Sequence, residues 1–253
     1  MREQLIARWQ GIVLSLVGIV ATGWLAATGR LGLYIHPRYF EFTVIMAVIA
    51  SVLTIAAFAM APLPGEHEQH EHDEHHEHRG GGRIRAVLGT VVVVMAAAAL
   101  LALPPATLTS ATATQRSINT SAVSAGADAP DLIGGDTSRF TVKDWAVLLR
   151  QNPDPDFFAG RAIEVTGFVT ASPDDPENVF YIARFTVTCC AVDAQPVGVP
   201  VYLPGWREQF EPDQWVTATG LFEANVGSPT AETLLLTADE LAVTDQPDQP
   251  YVF

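Results

Sequence analysis

The sequence predicts a membrane α-helical region followed by an all-β domain: three transmembrane helices, then a small closed five-stranded β-barrel with one helix before it. Three observations carry this prediction. Apolar residues concentrate in the first 105 positions, acidic residues concentrate after them, and five runs rich in β-branched and aromatic residues follow residue 160. A β-sandwich is the alternative arrangement of those five runs.

The charge is divided as unevenly as the apolar residues. Residues 1–103 contain 7 Lys or Arg and 8 Asp or Glu, whereas residues 104–253 contain 7 and 20, so nearly all of the net charge of −14 lies in the second part. Such an acidic region repels phosphates, which argues against nucleic acid as a partner. Cations, basic partners or simple solubility all remain compatible with it.

Residues 1–103 contain three apolar segments, at about 9–29, 42–63 and 86–103, which we interpret as membrane-spanning helices. Roughly 20 apolar residues cross a bilayer core. A signal peptide is the competing interpretation of the first segment, but this segment is longer than a usual signal core and a second one follows closely.

Arginine positions predict the orientation of these helices. With the N-terminus inside, five arginines lie on the inner side and three on the outer side: Arg2, Arg8, Arg79, Arg83 and Arg85 against Arg30, Arg38 and Arg116. This distribution favours a cytoplasmic N-terminus and an extracytoplasmic C-terminal domain.

A histidine-rich loop at 66–78 joins the second and third apolar segments. Its thirteen residues are six histidines, six carboxylates and one glutamine, and the histidines are His67, His70, His72, His75, His76 and His78. Imidazole and carboxylate both bind zinc-like divalent ions, so we predict metal binding here. A solvated spacer between two helices is the other interpretation, and the two are compatible. The seventh histidine, His36, lies beside interfacial aromatic residues and is either a further ligand or structural.

Residues 104–139 have the Ala, Thr, Ser and Gly composition of a flexible linker, and a soluble domain is predicted from 140 to 253. Thr141 is a plausible N-cap for a helix with Asp144 at its third position and an apolar face of Trp145, Leu148 and Leu149.

Five predicted strands follow at 162–170, 179–188, 197–203, 214–223 and 233–243. The first and fourth each contain a central glycine, Gly167 and Gly220, which is typical of a bulge or sharp coiling in a small barrel. A closed barrel of the OB type is therefore the predicted fold of this domain.

Both cysteines of the chain, Cys189 and Cys190, are adjacent at the end of the second predicted strand. Three interpretations stay open. The two thiols and Asp193 hold a soft metal ion such as Zn²⁺, the thiols form a strained vicinal disulfide, or one cysteine packs in the core. Joint metal binding requires a turn here, because adjacent side chains of an extended strand point to opposite faces. Arg184 would lower a thiol pKa if it lay nearby.

Several stretches resemble a bacterial membrane-protein family, the YcgQ-like family, over nearly the whole chain. The matching stretches are Tyr34-Ile35-His36-Pro37-Arg38-Tyr39, Pro104-Pro105, Ala183-Arg184-Phe185, Cys189-Cys190-Ala191-Val192-Asp193-Ala194 and Pro250-Tyr251-Val252-Phe253. The resemblance implies a multi-pass protein of the bacterial cell membrane that acts as the accessory subunit of a putative multi-span permease, in some bacteria within zinc-responsive gene sets.

We therefore expect a non-enzymatic partner of a permease that handles divalent metal, with zinc or a similar ion as its ligand. No phosphate-binding or hydrolase motif occurs, and the histidines all lie in or beside the membrane region, so no Cys–His pair is expected in the β domain. The alternative function is a membrane-anchored thiol protein that responds to redox state and has no metal role.

Overall fold

A computed structural model of the chain describes residues 2–59, 81–102, 107–119, 137–152 and 154–253. They divide into two units, one of residues 1–32 and 37–105, the other of residues 33–36 and 106–253.

In the part of the first unit that the structure describes there are three long helices, α1 (Arg2–Ala27), α2 (Phe40–Ala59) and α3 (Gly81–Ala102). Helix α1 contacts both α2 and α3. Within α2, the hydroxyls of Ser51 and Thr54 donate to the carbonyls four residues earlier, each at 2.7 Å. These bonds satisfy the only two polar side chains in the second half of an otherwise apolar helix.

The prediction of three transmembrane helices is wrong for the described residues. Among them, only the 21 residues Pro37–Ala57 are long and apolar enough to cross a membrane. At 1.5 Å per residue they extend about 31 Å, which matches a hydrocarbon core of about 30 Å. The apolar parts of α1 and α3 are Gly11–Ala27 and Val87–Ala99, and by the same rise they extend only about 25 and 20 Å.

Among its described residues, the second unit contains three short α-helices and a sheet. The helices are α4 (Ser110–Thr114), α5 (Val142–Gln151) and α6 (Pro155–Phe158), and the strands are β1 (Ile163–Ala171), β2 (Val179–Thr186), β3 (Gln195–Tyr202), β4 (Trp215–Ala224), β5 (Leu234–Val243) and β6 (Tyr251–Val252). Helix α5 begins as predicted, since the Asp144 N–H donates to Thr141 Oγ1 at 3.4 Å and the Thr141 N–H donates to Asp144 Oδ2 at 2.7 Å. Its predicted apolar face, Trp145, Leu148 and Leu149, is buried.

A β domain is present, but the prediction of a five-stranded barrel is wrong, because the structure has a six-stranded mixed sheet. The sheet has six strands in the order β1-β4-β5-β3-β2-β6, and β1 also pairs with β2. Five strands therefore close on themselves, and β6 lies outside this ring along β2. The sheet is mixed because β3 pairs with β5, and β2 with β6, in parallel. Strand β6 is only two residues long, too short for alternation to show in the sequence.

The bulge predicted at the glycine of the fourth strand is confirmed. The register of β4 against β5 shifts between Thr219 and Gly220. A Cβ on Gly220 would collide with the backbone of Thr237, and one on Gly167 would collide with the carbonyl oxygen of Ala183. Both glycines are required because a neighbouring strand's backbone occupies the space of a side chain.

The two faces of the sheet support two separate apolar clusters. The interior cluster is closed by α5 and includes Phe180 and Ile182 of β2, whereas Tyr181 and Phe185 of the same strand belong to the outer cluster. This alternation follows from the two-residue period of a strand.

Residues 107–119 cover the outer cluster, although they fall inside the predicted linker 104–139. Ala113 is fully buried there. Asn119 donates its backbone N–H to the Pro196 carbonyl at 3.0 Å and exchanges two side-chain hydrogen bonds with the backbone of Gly198, at 2.8 and 2.9 Å. Polar composition suggested a linker, but paired backbone groups and apolar contacts fix this segment to the β domain.

Candidate metal centre

The two cysteines lie in the tight connection between β2 and β3. These antiparallel strands pair as far as Thr186 opposite Gln195, and the eight intervening residues must reverse the chain direction. A single 3₁₀ turn, Ala191–Asp193, makes the reversal. Its backbone is closed by the Asp193 N–H, which donates to the Cys190 carbonyl at 2.9 Å. The turn that joint action of the thiols requires is therefore present.

The Asp193 carboxylate holds this connection, which we call the cysteine turn (Thr188–Asp193). Its Oδ1 accepts the Thr188 N–H at 3.0 Å, and its Oδ2 accepts the N–H groups of Cys189 and Cys190 at 2.7 and 3.2 Å. Three successive N–H groups therefore point at one carboxylate. Cys190 itself keeps an extended backbone, and the reversal begins at the 3₁₀ turn that follows it.

The reversal brings together the three predicted ligands of the turn. One ligand atom from each of Cys189, Cys190 and Asp193 lies within 4.8 Å of the others. Cys189 is exposed, Cys190 is partly buried, and both are free thiols. The site therefore opens to solvent on the side of Cys189.

The surroundings favour the protonated form of the Cys189 thiol. Desolvation of the sulfur raises its pKa, and the neighbouring Cys190 and Asp193 raise it further. A bound cation reverses this effect, because a metal ion stabilises the thiolate that ligates it.

A histidine lies beside the cysteine turn, contrary to the expectation that the cysteines' domain contains none. Residues 33–36 belong to the second unit, and Ile35 forms an antiparallel bridge with Cys190. The Ala191 N–H donates to the Tyr34 carbonyl at 2.8 Å, and the His36 N–H donates to the Cys189 carbonyl at 3.0 Å. No sequence signal links these segments, because the pairing joins distant positions through a single bridge.

The last residues of the chain also contact His36. Strand β6 places Phe253 so that its ring meets the His36 imidazole edge to face, with 4.6 Å between ring centroids. The guanidinium of Arg184 fixes the preceding residues, since it donates to the carbonyls of Pro250 and Gln249 at 3.2 and 2.7 Å. Its cation also lies 5.4 Å from the centroid of the Trp215 ring. Arg184 thus orients the C-terminal segment, and the pKa of Cys189 is raised rather than lowered.

Two domains of one protein family together match most of the chain. Residues 10–119 match the DUF1980 N-terminal domain and residues 138–253 match the DUF1980 C-terminal domain. The chain belongs to the DUF1980 family. No curated protein matches it. A solved structure described as "OBody AM3L09 bound to hen egg-white lysozyme" is 20% identical and covers 37% of this chain and 89% of its own, with a TM-score of 0.23. At that score the likeness adds nothing to the description of the fold.

The two DUF1980 domains both contribute to the surroundings of the cysteines. Residues 33–36 and 107–119 lie within the N-terminal match, whereas the cysteine turn and β6 lie within the C-terminal match. The remaining predicted ligands, the six histidines of loop 66–78, lie outside the described residues.

The donor set of the DUF1980 site fits a borderline divalent ion. Thiolate sulfur and carboxylate oxygen are both zinc ligands, and a Zn–S distance of about 2.3 Å places two tetrahedral sulfurs about 3.8 Å apart. Ligand atoms within 4.8 Å of one another need only small rotations to reach this geometry. Asp193 has limited capacity to bind a metal ion as well, since three N–H groups already occupy most of the roughly four acceptor positions of its carboxylate.

Proposed function

We propose that this protein is a membrane-anchored, non-enzymatic metal-binding subunit that serves the transport or homeostasis of a zinc-like divalent ion. The convergence of two thiols and a carboxylate within 4.8 Å carries the proposal. Thiolates select soft and borderline ions, and two of them on adjacent residues give such an ion a short chelate.

The exposure of the site suits transfer of an ion rather than structural binding. Structural zinc sites are closed by four protein ligands, whereas sites that exchange a ligand keep one position open. Cys189 is exposed and the turn forms the rim of the β domain rather than its interior. An ion held here is therefore accessible to a second protein or to a competing ligand.

The rest of the chain supports delivery at a membrane. Helix Pro37–Ala57 provides the anchor, and the acidic second part of the chain attracts cations to its surroundings. In this proposal the β domain lies outside the cytoplasm and the N-terminus and loop 66–78 lie inside. The partner, a multi-span permease of the bacterial cell membrane, comes from the YcgQ-like resemblance of the stretches around His36 and Cys189.

Cobalt binding to the full-length protein in detergent tests the site. Co²⁺ substitutes for Zn²⁺, and its thiolate bonds give a near-ultraviolet charge-transfer band. Because Cys189 and Cys190 are the only cysteines, that band reports this site alone. We expect the reduced protein to develop the band and the double variant Cys189→Ser, Cys190→Ser to lose it, whereas Thr188→Ser, a matched exposed neighbour, keeps it. A reduced wild-type protein without the band would contradict the proposal.

The histidine-rich loop is tested separately by metal stoichiometry. We expect deletion of residues 66–78 to lower the total Zn²⁺ or Ni²⁺ bound without affecting the sulfur band. An unchanged stoichiometry would leave this loop as a spacer.

A redox role is the second candidate, and the proximity of two free thiols favours it. Oxidation by an external disulfide would join the two sulfurs and transfer two electrons and two protons to the partner, which becomes two thiols. The short Cα spacing of adjacent residues makes such a bond strained and easily reduced. Mass spectrometry of protein isolated with its thiols blocked distinguishes the candidates: a Cys189–Cys190 bond together with no metal uptake after reduction supports the redox role.

A further inference from the structure

We infer that His36 is the third protein ligand of the metal ion, so that the site is Cys189, Cys190 and His36, while Asp193 holds the turn. This inference rests on the proposed metal-binding function and names the ligand set of the same site. It assigns the two roles that the sequence leaves undecided, His36 as ligand or structural residue and Asp193 as ligand or neighbour.

The strand register places His36 opposite Cys189. Ile35 is bridged to Cys190 in the antiparallel sense, and one step along that register pairs His36 with Cys189, as the bond from the His36 N–H to the Cys189 carbonyl confirms. Directly opposite residues of an antiparallel pair have Cβ atoms about 4.5–5.5 Å apart, with both side chains on one face. The ligand atoms that lie within 4.8 Å of one another do not include a nitrogen of His36, so ligation requires the imidazole to rotate toward the thiolates.

The local sequence holds His36 in the conformation that this pairing needs. Pro37 follows it, and a residue before proline is restricted to extended backbone. The Phe253 ring supports the imidazole edge to face, and His36 is only partly buried. The side chain is thus positioned by its neighbours and stays partly exposed.

Asp193 is better suited to hold the turn than to bind the ion. Its carboxylate already accepts three N–H groups, two of them from the cysteines themselves. Full ligation by Asp193 would compete with the bonds that make the sulfurs converge. Two cysteines and one histidine are an established zinc set that leaves the fourth position to a water molecule or a transferred ligand, which agrees with the open site proposed above.

Cobalt titration of the full-length His36→Ala variant tests the assignment. Loss of a neighbour that only orients a ligand lowers metal affinity about 10–100-fold, so loss of a ligand is expected to lower it by about 100-fold or more. The measured signal is the sulfur-to-cobalt band, which loop 66–78 does not contribute to because it lacks cysteine. His72→Ala, in that loop, is the matched control and is expected to retain wild-type affinity in this band.

Phe253→Ala separates ligation from packing. It removes the ring that supports the imidazole but keeps the imidazole itself, so we expect a loss of about 10-fold, the lower end of the range for neighbours that only orient a ligand. An equal loss in Phe253→Ala and His36→Ala would show that His36 acts through packing and would overturn the inference.

The remaining outcomes separate the two proposals. If the wild-type band forms and His36→Ala titrates like wild type, the ligand role of His36 is wrong while the cysteine site stands. If the wild-type protein forms no band, the proposed function fails, and the inference fails with it.

Discussion

The interior of the β domain excludes water, with Trp145, Phe180 and Trp206 fully buried, whereas the cysteine turn faces solvent through Thr188 and Cys189. The interior is held by apolar contacts among strands and α5. The turn is held by three N–H groups on one carboxylate and by a single bridge to residues 33–36.

Stability and site geometry therefore have separate origins in this one domain. Burial of apolar surface sets the free energy of unfolding, and it depends on many residues at once. The direction of two sulfur atoms depends on a few polar contacts at the rim. Substitutions in the interior are therefore expected to change stability, and substitutions in the turn to change metal binding.

The largest effect is expected for Gly220→Ala, which places a Cβ against the backbone of Thr237. Overpacking against a backbone that cannot move destabilises by about 3 kcal/mol or more. The measurement is denaturant unfolding of the full chain in detergent, followed by tryptophan fluorescence. Gly227→Ala is the matched control, since nothing lies within 4 Å of its Cβ position. Equal midpoints for the two variants would contradict the close approach of β4 and β5.

A smaller loss is expected for Asn119→Ala, which fixes the covering segment 107–119 rather than the interior. The change leaves the N–H and the carbonyl of Gly198 without these partners, and we expect a cost of about 1 kcal/mol for each, the lower end of the usual range. Asn119 also has a positive φ of 66°, which Ala tolerates poorly. Asn119→Gly relieves that strain without restoring the bonds, so unfolding experiments on both variants separate the two contributions. A wild-type midpoint in both would show that the segment does not stabilise the domain.

Features that depend on neighbouring residues could be predicted from the sequence, whereas features that depend on distant contacts could not. Local signals were sufficient for α5 and its Thr141 cap, for the approximate strand bounds and for the bulge at Gly220, because each depends on neighbouring residues or on a short period. The number of membrane-spanning helices was overestimated, because each long uncharged run in the sequence was taken as a span. Among the described residues, only Pro37–Ala57 forms a helix that is long and apolar enough to cross a membrane.

Non-local contacts escaped prediction. The grouping of Cys189, Cys190 and Asp193 was proposed from composition, and its closure by three N–H bonds agrees with the turn that was required. Nothing in the spacing connects His36 to Cys189 or Tyr251 to Phe185, since both pairings join positions far apart through very short strands. Polar composition likewise concealed the packing of Asn119.

Asp193→Ala removes the polar contacts of the cysteine turn and leaves the interior of the β domain intact. A net hydrogen bond to a charged group contributes about 1.5–3 kcal/mol when buried, and exposure reduces this, so we expect a total destabilisation of only about 1–2 kcal/mol. The sulfur-to-cobalt band should weaken strongly as the thiols diverge, with tryptophan fluorescence unchanged. Asp193→Asn keeps one acceptor oxygen, so its sulfur-to-cobalt band is expected to be weaker than that of the wild type and stronger than that of Asp193→Ala. A wild-type cobalt band in Asp193→Ala would contradict the role of this carboxylate.

The smallest effect concerns the acidity of Cys189. Its raised pKa means that half-ionisation requires a higher pH than in an ordinary thiol, so alkylation of Cys189, followed by mass spectrometry, should show a midpoint above that of an unperturbed thiol. Cys190→Ala should move the alkylation midpoint partly back toward that of an ordinary thiol, because desolvation remains when the neighbouring thiol is removed.

The raised pKa of Cys189 also makes stability depend on pH. The folded state keeps a proton that the unfolded state releases, so metal-free protein loses stability as the pH rises through this range. Cys189→Ser should reduce that alkaline loss without removing it, because burial also raises the pKa of Tyr181 and Tyr251. Saturating Zn²⁺ should suppress alkylation, and a midpoint at or below that of an ordinary thiol would contradict the desolvation of the Cys189 sulfur.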